Sequence, residues 1–228
     1  MQNGAKHLVF DWNCTLLDDI GALHECTNRL LEGVDHPPVS LEFFRSHYDI
    51  PFRQLYNNLG LAPEQVQKLI HANNTQFHDL YESLARQTAL RDGAVWVLQQ
   101  AKAHNIAAYI LSNHLVDPIR EQLQRLGIEA FFTEILAYAD RAAQQQRSLT
   151  KGEQLQQFMR DKEIRDFDAI IVGDSVEEIE IAREQGLISV AITGGCVSEE
   201  RLIAAQPDYV IHSLHELKPI MHARGFIA

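Results

Sequence analysis

The chain has 228 residues, 46% hydrophobic and 22% charged. These fractions suit one sizeable core, or a core with a small second domain, and exclude disordered, fibrous and low-complexity classes. Its 20 Lys and Arg against 31 Asp and Glu leave a net charge of −11, which argues against nucleic acid or an anionic membrane surface as partner, because phosphate backbones reward clustered cations.

The opening MQNGAKHLVFDW runs directly into a strand-like segment, His7–Phe10, and leaves no room for a secretory signal. From about Asp19 to Gln87 the apolar period becomes helical, over Ile20–Val34, Leu41–Tyr48, Phe52–Leu59 and Pro63–Ala85, with Pro37, Pro38, Pro51 and Pro63 as punctuation. A regular alternation then follows. Helix Ala94–His104 precedes strand Ile106–Leu111, helix Val116–Leu126 and a weaker strand, Ile135–Tyr138. Helix Gly152–Asp161, strand Asp168–Val172, helix Glu177–Gln185, strand Ile188–Ile192, helix Glu199–Ala205 and strand Tyr209–Ile211 complete it. Gly127 and Gly186 stand where helices should end.

Strands alternating with helices of this length predict an α/β fold, a Rossmann-like parallel sheet with helices on both faces. The helical stretch interrupts it after the first strand. The sheet domain is therefore expected to be discontinuous, 1–18 and 88–228, around an all-helical insert, 19–87. No apolar run approaches the ~18 residues of a spanning helix. Cys14, Cys26 and Cys196 are odd in number and far apart, which suits a reducing cytoplasm better than a disulfide framework.

In an open parallel sheet, chemistry sits beyond the carboxyl ends of the strands. The polar residues there are Asp11-Trp12-Asn13-Cys14-Thr15, then Ser112-Asn113-His114, then Lys151 at a helix start, then Gly173-Asp174-Ser175 followed by Glu177 and Glu178. Two carboxylates on adjacent elbows can hold a divalent cation through hard oxygen ligands. A hydroxyl, backbone N–H groups and a lysine can neutralise a tetrahedral phosphoryl group.

In that order, Asp-x-Asn-x-Thr, strand-Ser-Asn, Lys and Gly-Asp-Ser-x-x-Glu resemble the motifs of the haloacid dehalogenase superfamily, most closely its phosphoglycolate-phosphatase-like hydrolases. The resemblance spans the sheet domain, and the helical insert falls where that group carries a cap. It implies that Asp11 is a nucleophile forming an aspartyl-phosphate. It implies Mg²⁺ held by Asp11, the backbone carbonyl of Asn13, Asp174 and Glu178. Ser112 and Asn113 would bind the phosphoryl oxygens, Lys151 would offset charge on nucleophile and phosphate, and Thr15 would help to hold the elbow at the phosphate end.

Three departures from the family pattern stand out. The residue two after the nucleophile, usually an Asp acting as general acid and base, is Asn13, which can do neither. The common Gly is Cys14, and the last acidic position is Glu178 rather than Asp. General acid–base help is worth ~10²–10⁴-fold, so Asn13 bears on rate more than on fold or metal.

Other residues admit plainer roles. The 11 histidines show no metal-ligand spacing, and His114 alone falls near the site. Cys14 lacks the Arg that a Cys-x₅-Arg phosphatase loop requires, since position 20 is Ile, and is read as a small buried filler. Gly194-Gly195 lacks a dinucleotide fingerprint. Glu177 favours a helix N-terminus, and Trp12 is expected beside the site beneath the cap. Within the insert, the turn Tyr48-Asp49-Ile50-Pro51-Phe52-Arg53 offers Arg53 to a second anionic group of the substrate, or simply to solvent.

The expected activity is Mg²⁺-dependent hydrolysis of a small phosphorylated metabolite. The alternative is a phosphate-ester or phosphoprotein binding module in which Asn13 impairs hydrolysis. Oligomeric state is not legible.

Overall fold

Alternate residues of the first strand enter different cores. In β1 (Lys6–Phe10), Leu8 and Phe10 join one apolar cluster while Val9 joins another on the opposite side, the period-two signature of a sheet covered on both faces. The computed structural model describes residues 5–49, 52–146, 149–162, 164 and 168–227, with the backbone alone at 73–75. Within them, β2 (Ala107–Leu115), β3 (Phe132–Tyr138), β4 (Asp168–Gly173), β5 (Ile188–Ile192) and β6 (Tyr209–Ile211) complete a six-stranded parallel sheet in the order β3-β2-β1-β4-β5-β6.

In chain order the helices are α1 (Ile20–Glu32), α2 (Leu41–His47), α3 (Arg53–Asn58), α4 (Pro63–Thr75), α5 (Phe77–Ala85), α6 (Ala94–Ala103), α7 (Val116–Leu126), α8 (Arg141–Gln146), α9 (Lys151–Asp161), α10 (Val176–Gln185), α11 (Glu199–Ala204) and α12 (Leu217–Ala223). On one face of the sheet, Val97 and Leu98 of α6, Ile119 and Leu123 of α7 and Met221 of α12 pack against Leu8 and Phe10. On the other, Leu155 of α9 and Ile181 of α10 pack against Val9, Leu111 and Ile171. Gly127 and Gly186 end α7 and α10 in the left-handed conformation, at φ 69° and 70°. None of the helices is long and apolar enough to cross a membrane.

Register brings the functional segments together. Phe10 is level with Ile110 of β2 and with Val172 of β4, so Asp11, Ser112 and Asp174 emerge side by side at the carboxyl edge.

Helices α1–α5 lie between β1 and α6, and the chain leaves and returns through adjacent backbones. The Asp18 N–H donates to Ala89 O and the Arg91 N–H to Leu16 O, both at 2.9 Å, with Leu17 bridged to Leu90. The insert has its own apolar cluster, including Leu31, Phe44, Leu55 and Leu69, which continues into Ala191, Val197 and Leu202 of the sheet portion. Arg45 fastens it further, donating to the carbonyls of Gly195 (2.8 Å) and Gly194 (2.6 Å).

Beyond α12 and an earlier start to β3, neither of them expected, the elements differ from expectation in three places. The helix expected over Pro63–Ala85 breaks at Gln76, where φ is −113°. Each half then turns its own apolar residues inward, Val66 and Leu69 from α4, and Phe77, Tyr81 and Ala85 from α5. Strand β2 runs past Leu111 to Leu115, carrying polar Ser112 and His114 inside the sheet. Helix α8 (sequence RAAQQQ) has no apolar period to reveal it.

Candidate active site

The Asp11 N–H donates to the carbonyl of Val172 at 2.9 Å, so strand pairing itself fixes the first elbow. Lys151 opens α9, whose start is set by a capping box: Thr150 Oγ1 accepts from the Glu153 N–H, and Glu153 accepts from the Thr150 N–H. From there the buried ammonium donates to Asp11 Oδ1 at 2.7 Å and to Glu178 Oε1. Ser175, the cap of α10, donates its hydroxyl to the other Glu178 oxygen at 2.6 Å. Asp174 accepts from Thr15 Oγ1 at 3.1 Å and from the Cys196 N–H at 2.6 Å.

Two glycines make this crowding possible. A Cβ at Gly173 would lie 2.3 Å from Glu178 Cγ, and one at Gly195 would lie 2.3 Å from Asp174 Oδ2. Gly195, a glycine without a nucleotide fingerprint, is therefore the backbone against which Asp174 rests.

The floor holds more negative than positive charge. Asp11, Asp174 and Glu178 are buried around a single lysine, with Glu177 at the rim. Burial raises the Asp11 carboxyl well above its usual range; Lys151 opposes the shift while Glu178 and Asp174 add to it. Burial and the Glu178 charge push Asp174 up to about 6. Two hard oxygen donors facing one cavity, each resisting ionisation, fit a divalent cation. Asp11 and Asp174 would hold it, and it would supply charge neutralisation for an incoming phosphoryl group.

The elbow after Asp11 is bound on every side. Cys14 takes the left-handed conformation (φ 58°) in place of the usual glycine, which costs ~1–2 kcal/mol. Its carbonyl accepts from Arg91 Nη1 at 2.6 Å, and its N–H donates to Asp19 Oδ1 at 2.6 Å. Arg91 also donates to the Thr193 carbonyl at 2.6 Å, tying the elbow to the end of β5. The Asn13 amide donates to Asp19 Oδ2 at 2.8 Å and to the Tyr81 hydroxyl at 2.6 Å, and that hydroxyl donates to Asp19 Oδ2 at 2.5 Å. Cys14 Sγ lies 2.8 Å from Cys196 Sγ. These two sulfurs and an Asp174 oxygen lie within 4.8 Å of one another, yet burial pushes Cys196 up to about 12 and Cys14 well above its usual value, so both remain thiols.

Above the floor is a cavity of about 250 Å³ between the sheet edge and the insert. Asp11, Asn13, Ser112, Asn113, His114, Lys151 and Asp174 all line it. Asn113 donates to Glu177 Oε2 at 2.6 Å, and the Ser112 hydroxyl accepts from the His114 N–H at 3.2 Å. His114 Nε2 stands 2.9 Å from Glu82 Oε1 of α5, joining sheet to insert.

Four expectations are displaced. Thr15 is fully buried behind Asp174 and does not line the cavity, so it braces a carboxylate rather than touching substrate. Glu178 sits behind Lys151 and Ser175, while its neighbour Glu177 reaches the cavity wall. Arg53 is exposed at the start of α3, outside the cavity lining, because Leu55 and Tyr56 claim the inward face of that short helix; Ile50 and Pro51 of its turn lie outside the described residues. Trp12 packs into the sheet core, donating to Gln122 of α7 at 2.6 Å, on the side away from the insert. Asp19, Tyr81, His78, Arg91 and Gln144 join the site without having stood out in the sequence. Only Asp19, an acid directly before a helix, carried a local signal, and that signal reads equally well as a cap.

The family model described as haloacid dehalogenase-like hydrolase matches residues 8–192, and the chain belongs to that family. A phosphoglycolate phosphatase of Synechococcus elongatus is 25% identical over 210 residues, covering 92% of this chain and 94% of its own. One from Vibrio parahaemolyticus is 24% identical, covering 96% and 97%. Among solved structures, a haloacid dehalogenase-like hydrolase from Streptococcus pneumoniae superposes with a TM-score of 0.78 at 20% identity, over 97% of this chain and all of its own.

Proposed function

We infer that the protein is a phosphatase that hydrolyses a small phosphomonoester through an aspartyl-phosphate on Asp11, with Mg²⁺ as cofactor and residues 19–87 acting as a cap over the 1–18 and 88–228 sheet domain. The observation that carries this is the buried Asp11–Lys151 pair at 2.7 Å on the floor of the cavity. The phosphoglycolate phosphatases that match 92% and 96% of the chain support it.

A carboxylate oxygen of Asp11 attacks phosphorus as the bond to the leaving oxygen breaks. Lys151 holds Asp11 in place and offsets charge, while Ser112 and Asn113 face the phosphoryl oxygens. Mg²⁺ held by Asp11 and Asp174, with the Asn13 carbonyl and Glu178 as further candidates, would neutralise the phosphoryl charge. The departing alkoxide needs a proton. The Asn13 amide has none to give, so a cavity-lining group such as Tyr81, His78 or His114 would supply it. Water then attacks the phosphorus of the aspartyl-phosphate, releasing inorganic phosphate and restoring the carboxylate.

A second reading, a binding module with hydrolysis impaired, draws on the engagement of Asn13 with Asp19 and Tyr81. A panel of small phosphate esters assayed with and without Mg²⁺ separates the two. Release of phosphate with turnover supports the enzyme, and saturable binding without release supports the module.

A further inference from the structure

The wall that the insert contributes is aromatic and apolar, with the Tyr81 hydroxyl anchored on Asn13 and Asp19. Leu23, Tyr48, Phe52, Phe77 and Tyr81 form it, and their rings are contiguous. The Tyr48 and Phe52 centroids lie 5.6 Å apart edge to face, Phe52 and Phe77 5.5 Å apart, and Phe77 and Tyr81 6.0 Å apart and nearly parallel at 2°. Such a surface is favourable to apolar and planar groups and presents the negative faces of its rings to an anion.

The rim between wall and floor is polar but carries no fixed positive charge. It comprises His78 and His114, stacked 6.2 Å apart at 7°, with the amides of Asn113, Gln144 and Gln145. Burial, His114 and Arg141 all depress protonation of His78. Arg141 lies outside the lining and pairs with exposed Asp79 at 2.5 Å.

Among the described residues lining the cavity, Lys151 is the one Lys or Arg, and it is engaged by Asp11 and Glu178. A second anion on the substrate would thus meet aromatic faces, the carboxylate of Glu177 and uncharged rim donors, with no Lys or Arg left unengaged among the described lining residues to offset its desolvation. The cavity of about 250 Å³ leaves room beyond a phosphoryl group for an organic substituent.

We propose that the cavity selects phosphomonoesters whose organic part is uncharged and carries a small aromatic or apolar group, and discriminates against those bearing a second anion such as a carboxylate. This rests on the phosphatase reading for the phosphoryl end. What it adds is the chemistry of the leaving group, which the insert alone determines.

The test compares benzyl phosphate with 2-phosphoglycolate, two esters that share a CH₂–O–phosphoryl linkage and differ in phenyl against carboxylate. The expected result is a kcat/KM for benzyl phosphate higher by about tenfold or more, carried mainly by KM. Phe77→Leu should shrink that ratio, and Phe52→Arg, at a half-buried wall position, should reverse it by supplying the missing cation.

If neither these esters nor the wider panel of small phosphates is hydrolysed, the phosphatase reading fails while the selectivity can still be measured. Phenethylphosphonate and 3-phosphonopropionate, the matching non-hydrolysable isosteres, are then ranked by calorimetry, with the phenyl compound expected to bind more tightly. Equal or better use of 2-phosphoglycolate, or equal or tighter binding of 3-phosphonopropionate, overturns the proposal.

Discussion

The amide of Asn13 and the carboxylate of Asp19 are hydrogen-bonded at 2.8 Å, deep in the loop that carries Asp11. The pair accounts for the absence of the expected acid at position 13. A carboxylate is present, but it stands one layer back, bound by Asn13, by Tyr81 and by the Cys14 N–H. Burial raises its proton affinity, and these bonds oppose the rise.

Asn13→Asp therefore sets two carboxylates against each other. We expect a loss of ~1–3 kcal/mol in stability, relieved in the Asn13→Asp/Asp19→Asn double variant, which restores an amide–carboxylate pair. Denaturant unfolding of the four proteins gives the coupling, and additive single effects would show that the residues do not interact.

The same variants bear on rate. With an acid at position 13, hydrolysis of an alkyl phosphate should rise by ~10–10³-fold, and that of p-nitrophenyl phosphate, whose leaving group needs no proton, far less. Equal gains on both, with a burst of leaving group from the native enzyme, would place the limiting step at breakdown of the aspartyl-phosphate. No gain on either would assign the proton to another donor, His114 or Tyr81 being nearest.

Asp11→Asn removes the nucleophile while leaving a side chain of the same shape. Turnover should fall by ~10⁴-fold or more with the circular dichroism spectrum unchanged. Retained activity, with amide hydrolysis at position 11 excluded by mass spectrometry, would rule out the covalent route.

Lys151→Met should be among the most damaging substitutions to stability, because it leaves Asp11 and Glu178 buried without their cation. Removing one partner of a buried pair costs ~3–5 kcal/mol, or ~6–20 °C in Tm for a chain of this length. A loss of only a degree or two would mean that water reaches the floor.

Acid and metal should act on one set of groups. The Asp174 carboxyl is pushed up from an ordinary 3.8 to about 6 by burial and by Glu178, so between those values the folded state keeps a proton that the unfolded chain has released. Metal-free protein should therefore lose stability as pH rises from about 4 to about 6, and should remain less stable at neutral pH. His7 and His78, whose protonation burial suppresses, pull the other way below about 6.5. The Asp174 part is accordingly read as the difference between the native protein and Asp174→Asn. Mg²⁺ should raise Tm at pH 7 in the native protein and much less in the variant, and chelator should abolish activity. Full activity in excess chelator would refute the metal.

The sheet and the order of the polar elbows along its carboxyl edge were legible because most strands are short β-branched runs ending in a polar elbow, a signal contained in a few consecutive residues. Asp11, Ser112 and Asp174 follow from it directly. What escaped depends on contacts between distant segments. Tyr81 meets Asp19 and Asn13 across 62 and 68 residues of chain, and Arg91 reaches Thr193 across 102. Arg53 stood out as a charge in an apolar turn, but whether such a residue faces a cleft is decided by its neighbours, Leu55 and Tyr56, which took the inward side. The break at Gln76 was invisible because both halves share one helical period.

The backbone pairing of Leu17 with Leu90 has a consequence for how this architecture diversifies. Everything between those two residues is, from the standpoint of the sheet, one closed loop, and doubling the length of a loop costs only ~0.6 kcal/mol in closure entropy. Segments can be lengthened, shortened or exchanged there without disturbing the strands that carry the nucleophile. The constraint falls on the residues that cross back, among them Arg45 on the Gly194 and Gly195 carbonyls, Tyr81 on Asn13 and Glu82 on His114, and on the apolar cluster that the insert shares with Ala191 and Leu202. The bond-breaking machinery can thus be inherited unchanged while the choice of molecule is rewritten in a single stretch of chain.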